Sequence, residues 1–143
     1  AGWGALTREP LLGWSYPAWS KLWRLAGADH MHVSGLNNKF TEPNKSVIES
    51  ARSLSSPLFS HAPMSALPVF SSGQTVRQAA ATLDAVGSPD FLVAAGGGIA
   101  AHPGGVAAGV QAMRQAYDAA MQKVDVIEYA EDHPELAVAL AEF

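Results

Sequence analysis

Three times along the chain a short apolar run breaks at serine or glycine and gives way to a stretch of helical periodicity. The runs are Ala28–Val33 (ADHMHV), Ala66–Phe70 (ALPVF) and Phe91–Ala95 (FLVAA). They stop at Ser34-Gly35, Ser71-Ser72-Gly73 and Gly96-Gly97-Gly98. Short continuous apolar runs read as strands buried on both faces, and strands alternating with helices are parallel. The expected class is therefore α/β.

The intervening helices have recognisable ends. Before the first strand, residues 17–25 place Trp19, Leu22, Trp23 and Leu25 on one face, and Gly27 closes that helix. Pro43 opens a second helix carrying Val47, Ile48, Ala51 and Leu54, followed by a Ser/Pro-rich connection from Ser55 to Ser65. Thr75 caps a third through Val86, with Val76, Ala79, Ala80 and Leu83 apolar and Gly87 at its end. A long helix is expected from Gly105 to Gln122, with Val106, Val110, Met113, Tyr117 and Met121 as its stripe. A last one begins near Asp132-His133-Pro134-Glu135, capped by Asp132, with Leu136, Ala139 and Leu140 facing inward.

Two architectures use this unit, the open doubly wound sheet and the closed eightfold barrel. A complete doubly wound domain has about five strands. Three units preceded by an orphan helix instead suit the last part of a TIM (β/α)8 barrel, whose usual length is about 250 residues. The chain also begins Ala1-Gly2-Trp3 without a methionine, and the expectation is a segment cut from something longer. Such a segment leaves an open apolar edge that needs the rest of the barrel.

Composition removes several function classes. Nine Lys+Arg against 13 Asp+Glu give the 143 residues a formal charge of −4, which draws neither nucleic acid nor an anionic membrane. With no cysteine, disulfides, thiolate zinc sites and cysteine nucleophiles are excluded. Nothing approaches the roughly 18 apolar residues of a membrane span, and no basic segment leads into an apolar one at the N-terminus. A single cytoplasmic unit is expected.

In parallel α/β folds the reactive groups lie just beyond the carboxyl ends of the strands. That rule selects His32 and Lys39 after the first strand, Ser71, Ser72 and Gly73 after the second, and Gly96, Gly97 and Gly98 after the third, with His102 farther on. Glycines let backbone N–H groups approach an anion, and the loops after the last two strands of a barrel commonly hold phosphate. Lys39 adds a positive charge and His32 a donor or proton carrier. The ligand class is a phosphorylated or polyanionic small molecule.

Plainer readings stand beside these. The glycine triplet alone ends a strand, and no Gly-Lys-Ser/Thr follows to make it a Walker loop. His30 reads as a structural residue of a buried strand. His30 and His32 share a strand face, but no carboxylate lies nearby in sequence to complete a metal site. His61 and His133 have no partner to name, and His102 beside Pro103 shapes a helix start. Trp3, Trp14, Trp19 and Trp23 read as core or interface, and Lys39 alone is an ordinary loop lysine.

Taken in order, these segments resemble the RuBisCO large-chain superfamily. Ala26–Gly35 (AGADHMHVSG) followed by Lys39 resembles its sixth strand and mobile sixth loop, with the spacing of its phosphate-contacting histidine and loop lysine. Leu67–Gly73 (LPVFSSG) resembles the seventh strand with its Ser-Gly-Gly motif, and Ala95–Gly104 (AGGGIAAHPG) the eighth strand and phosphate loop. The departures point to a RuBisCO-like protein. Ser72 replaces a glycine, Gln74-Thr75 stands where carboxylases tend to have Ile-His, and the loop lacks Val-Val-Gly before its lysine.

The resemblance implies that residues 1–143 are a C-terminal barrel segment, about strands six to eight, starting after the fifth strand. The N-terminal domain and first barrel strands are then absent, and with them the lysine, aspartate and glutamate that bind Mg²⁺. No Lys-x-Asp-Asp-Glu stretch occurs, so no metal ligand is expected in this segment, and the segment alone should be inactive. By the same resemblance the complete protein is a cytoplasmic homodimer or higher oligomer that forms a Mg²⁺-stabilised enediolate from a phosphorylated sugar or sugar acid. RuBisCO-like enolases of methionine salvage usually lose the loop lysine, whereas Lys39 is retained. The expected reaction is therefore decarboxylation of a phosphorylated 3-oxo sugar acid, as in apiose/isoapionate breakdown. Lys39 would hold the carboxylate, His32 a substrate oxygen, and Ser71, Ser72, Gly73, Gly96 and Gly97 the phosphate or sugar oxygens. The alternatives are an isomerase or enolase of a methylthioribulose-type phosphate, and a non-catalytic fragment.

Overall fold

The computed structural model describes residue 9, residues 11–40 and residues 42–143; Trp3 and the start of the chain lie outside the described residues. Helix α1 (Tyr16–Leu25) leads to β1 (His30–Ser34), α2 (Asn44–Ser55) and β2 (Leu67–Phe70). A 3-10 turn at Val76–Gln78 runs into α3 (Ala79–Val86), and β3 (Leu92–Val93) follows. The chain then forms α4 (Gly96–Ala100), α5 (Gly105–Gln122), α6 (Val126–Ala130) and α7 (Pro134–Glu142). The strands form one parallel sheet in the order β1-β2-β3, pairing His32 with Val69 and Val69 with Leu92. Strand order equals chain order, as in consecutive units of a barrel, and every carboxyl end lies on one edge.

Helix ends follow the local chemistry. The Ser15 hydroxyl accepts from the Ala18 N–H at the start of α1, and Gly27 (φ +92°) turns the chain out of it in a left-handed conformation. Thr75 and Gln78 form a reciprocal capping box, and Gly87 (φ +79°) ends α3. Two cores cover one face of the sheet. Tyr16, Val33, Val47, Ala51, Leu54 and Phe70 fill the first, between the sheet and α1 and α2. Val76, Ala79, Ala112, Ala116, Leu136 and Ala139 fill the second, around α3, α5 and α7. Phe91 joins them, its ring 5.6 Å from Phe70 on one side and 5.6 Å from Tyr117 on the other.

The structure corrects several expectations. The buried face of α1 is Tyr16, Ser20 and Arg24, whereas Leu22, Trp23 and Leu25 are exposed. Arg24 is buried because its guanidinium donates to the carbonyls of Ser53, Ser56, Pro63 and Met64, which pins the Ser/Pro-rich connection. In α5 the small face is the one buried. Gly109, Ala112, Ala116 and Ala119 go inward with Met113, while Val106, Val110 and Met121 are exposed. Close helix contact needs small side chains, and a count of apolar residues points to the wrong stripe. The reason at Gly109 is direct: a Cβ there would run into the Ile99 carbonyl.

Smaller differences concern element boundaries. The third strand pairs only over Leu92–Val93, and the glycine triplet opens α4 in place of a loop. The extra helix α6 is capped by the Asp125 carboxylate. His133, not Asp132, occupies the cap position of α7, and no side chain caps it there. Val33, Pro68 and Phe70 point into the helices, while on the other face His30, His32, Leu67 and Leu92 are exposed around a buried Val69. His30 is accordingly not a core histidine. No helix among the described residues is long and apolar enough to cross a membrane.

Candidate functional site

At the carboxyl edge of the sheet the backbone leaves β1 through Ser34 (φ +67°) and β2 through Ser72 (φ +69°), both left-handed. Non-glycine residues are rarely held there, at a cost of about 1–2 kcal/mol each. The adjoining ladder holds them in place. The Ser71 N–H donates to the Ser34 carbonyl at 2.9 Å, and the Lys39 N–H to the Ser72 carbonyl at 3.1 Å. Gly73 (φ +88°) lies against Lys39, where a Cβ would sit 3.6 Å from the lysine Cβ.

Side chains continue the arrangement. His32 Nδ1 and Ser71 Oγ are 3.1 Å apart, and Ser71 Oγ is 3.5 Å from Ser72 Oγ. This contact occupies one ring nitrogen of His32 at the rim. The Tyr16 hydroxyl anchors the strand end by donating to the His32 carbonyl at 2.7 Å. Burial pushes the Tyr16 phenol well above its usual range, and the Glu42 carboxylate adds to that, so Tyr16 stays a donor.

The loop carrying Lys39 is built around Asn38. Its amide nitrogen donates to the carbonyls of Gly35 and Glu42, both at 2.9 Å, and its oxygen accepts from the N–H groups of Phe40 and Glu42. Asn37 and Asn44 tie the same loop to α2 through paired contacts of 2.8 and 3.0 Å. Lys39 itself is exposed, its Nζ 5.3 Å from the centre of the Phe40 ring.

On the third unit, Gly96 and Gly97 are exposed, and a Cβ at either would meet nothing within 4 Å. Gly98 is buried because a Cβ there would run into the Gln74 carbonyl. The first turn of α4 thus abuts the β2 loop and leaves its leading backbone N–H groups open to an anion. His32, Lys39, Ser71, Ser72 and Gly73 meet directly, and Gly96 and Gly97 join the same edge through Gly98.

Other candidates have local roles. The Nδ1 of His102 accepts from the Gly104 N–H at 2.9 Å, so its Nε2 donates to the Glu135 carbonyl, also at 2.9 Å; it joins α5 to α7. His133 stacks on Tyr129 at 3.9 Å, and His61 stacks on Phe59. Trp14, Trp19 and Trp23 form an edge-to-face ladder. Among the described residues no three His, Cys, Asp or Glu side chains come together to hold a metal. The described residues do not fit Mg²⁺. Sequence reading missed Tyr16, Asn38 and Gln74. Asparagine in a glycine-flanked loop signals a turn that its side chain completes, whereas nothing local marks the other two.

The family model for the ribulose bisphosphate carboxylase large chain, catalytic domain, matches residues 1–143. A 3-oxo-isoapionate-4-phosphate transcarboxylase/hydrolase of Xanthobacter autotrophicus is 57% identical over 140 residues, covering 98% of this chain and 34% of the relative. A 3-oxo-isoapionate-4-phosphate decarboxylase of Rhizobium rhizogenes is 43% identical over 143 residues, covering 99% and 34%. The crystal structure of a rubisco-like protein from Burkholderia fungorum superposes with a TM-score of 0.95 at 50% identity, covering 99% of this chain and 35% of that one. The chain spans about a third of the length of these relatives. The three strand–helix units, the glycine-rich carboxyl edge and the match along all 143 residues together make the chain a member of the RuBisCO large-chain catalytic-domain family, among its RuBisCO-like proteins.

Proposed function

We propose that residues 1–143 supply the sixth to eighth units of a RuBisCO-like barrel that cleaves the carboxylate from a phosphorylated 3-oxo sugar acid of the 3-oxo-isoapionate-4-phosphate kind. The observation that carries this reading is the seating of the lysine: the Lys39 N–H is bonded to the Ser72 carbonyl at 3.1 Å. That backbone contact seats the residue that bears the cation beside the hydroxyl and glycine groups that suit a phosphate, with its exposed side chain left to reach a ligand. In this reading Lys39 holds the carboxylate while its bond to carbon breaks. The bond's electron pair passes to the 3-oxo group, and His32 donates to that oxygen as negative charge develops. Ser71, Ser72 and Gly73, with the open N–H groups of Gly96 and Gly97, hold phosphate and sugar oxygens. The remaining barrel, a homodimeric or higher assembly and a cytoplasmic location belong to the same proposal. So does the inactivity of this segment alone.

Replacing Lys39 with Met in the complete enzyme keeps the stem and removes the cation. CO₂ release from 3-oxo-isoapionate 4-phosphate should fall by about 10²-fold or more, as when a key oxyanion donor is lost. Inorganic phosphate should still bind within about tenfold. Unchanged CO₂ release in K39M would overturn the role of the lysine. Isomerised product with no carbon lost would favour the isomerase or enolase reading. One finding favours a second outcome for the detached carboxylate, since identity is higher to the transcarboxylase/hydrolase (57%) than to the decarboxylase (43%). A ¹³C-labelled carboxyl group distinguishes them: the label appears as CO₂ and bicarbonate in one case and in an organic product in the other.

A further inference from the structure

Three loops of the carboxyl edge meet at one residue that the proposed chemistry does not use. Gln74 is buried, with 2% of its surface exposed, directly after the Ser71-Ser72-Gly73 rim. Its side-chain amide lies on Gly35, where a Cβ would run into the amide, and its Nε2 donates to the Leu36 carbonyl at 3.2 Å. Gly35 has no positive φ, so contact with Gln74 and the Ser71 carbonyl, and not backbone conformation, excludes a side chain there. On its other side, the Gln74 backbone carbonyl fills the space a Cβ on Gly98 would need, with the Thr75 Cα close behind.

We propose that Gln74 is a positioning residue that sets the span between Lys39 and the Gly96–Gly97 turn. Its amide carries the base of the Lys39 loop, and its carbonyl seats α4. An apolar side chain of equal volume fills the space but cannot donate to Leu36, which leaves a buried carbonyl unpaired. The loop base then loses the tie that relates the lysine to the phosphate groups. Loss of span affects a ligand that touches both ends at once, and spares one that touches only the glycine turn.

The inference rests on the decarboxylase reading for its turnover measurement, and hydrogen exchange tests it independently. In the complete enzyme, Gln74→Met removes the donor and keeps an unbranched stem. Amide exchange over residues 36–40 should accelerate about tenfold or more while helices α5 and α7 keep their protection. CO₂ release should drop about tenfold in kcat, and inorganic phosphate should bind within about twofold of wild type. On the K39M background the same change should cost no further turnover, because it acts through Lys39. Unchanged exchange over 36–40, or a turnover loss that multiplies with K39M, overturns the proposal. If the wild-type enzyme releases no CO₂, the exchange result alone decides. Gly35→Ala displaces the amide from the opposite side and must reproduce the exchange result. Failure of both variants to fold also overturns it, since Gln74 would then serve stability and not position.

Discussion

Ser72 combines two demands in one residue. Its hydroxyl belongs to the rim, 3.5 Å from Ser71 Oγ, and its backbone is held at φ +69° while its carbonyl receives the Lys39 N–H. Glycine would occupy that conformation without strain but would lose more chain entropy on folding. Ser72→Gly should therefore stabilise the protein by up to about 1 kcal/mol, and the shift in thermal midpoint of the complete enzyme measures it. A lower midpoint would mean that the serine hydroxyl contributes more to the rim than its backbone costs. The two histidines first paired by sequence also separate at this scale. His32 has a partner at the rim, while His30, on the same strand face, is exposed and outside the core.

Helix α7 depends on α5 for its first turn. The Gln115 side chain accepts from the Leu136 N–H at 3.0 Å and donates to the Glu135 carboxylate at 2.9 Å, doing the work of a cap that His133 does not supply. The Gln115 hydrogen bond holds the Glu135 carboxyl below its usual range, with its own backbone N–H and the nearby His133 and His102 assisting. A carboxyl lowered in the folded state contributes above its unfolded pKa, and the contribution is lost as pH falls through the folded one. Glu135→Gln should thus lower the thermal midpoint at neutral pH. The gap from wild type should narrow as pH falls below the ordinary carboxylate range. A gap that stays constant with pH would remove the charge from the explanation.

Across the whole molecule, apolar surface is distributed unevenly. Leu11 and Leu12 are 88% and 85% exposed, Trp14, Leu22, Trp23 and Leu25 are exposed around α1, and Leu67 and Leu92 are exposed on the sheet. Apolar area on this scale drives association. The 143-residue chain by itself should show a sedimentation coefficient that rises with concentration. A monomer that stays monomeric on concentration and unfolds cooperatively would contradict this, and would show the two helix-side cores to be sufficient alone.

Local sequence was enough for the features that depend on neighbours in the chain. Gly27 and Gly87 end helices through their own left-handed backbone, Thr75 caps with the residue three positions on, and Gly105–Gln122 appears as one helix. Parallel order then follows from alternation, and the carboxyl-edge rule selects His32, Lys39 and the serine and glycine segments before any contact is known. What lies between units was decided by tertiary structure. The buried stripe of α5 is its small one because another helix must come close, and Arg24 turns inward because carbonyls from a distant connection await it. The Gln74 amide reaches Leu36 across 38 positions of sequence, a separation that no window of periodicity spans. Propensity and capping are set by atoms within a few residues along the chain. The fit of one loop on another is set by three-dimensional packing, which only the folded sheet brings about.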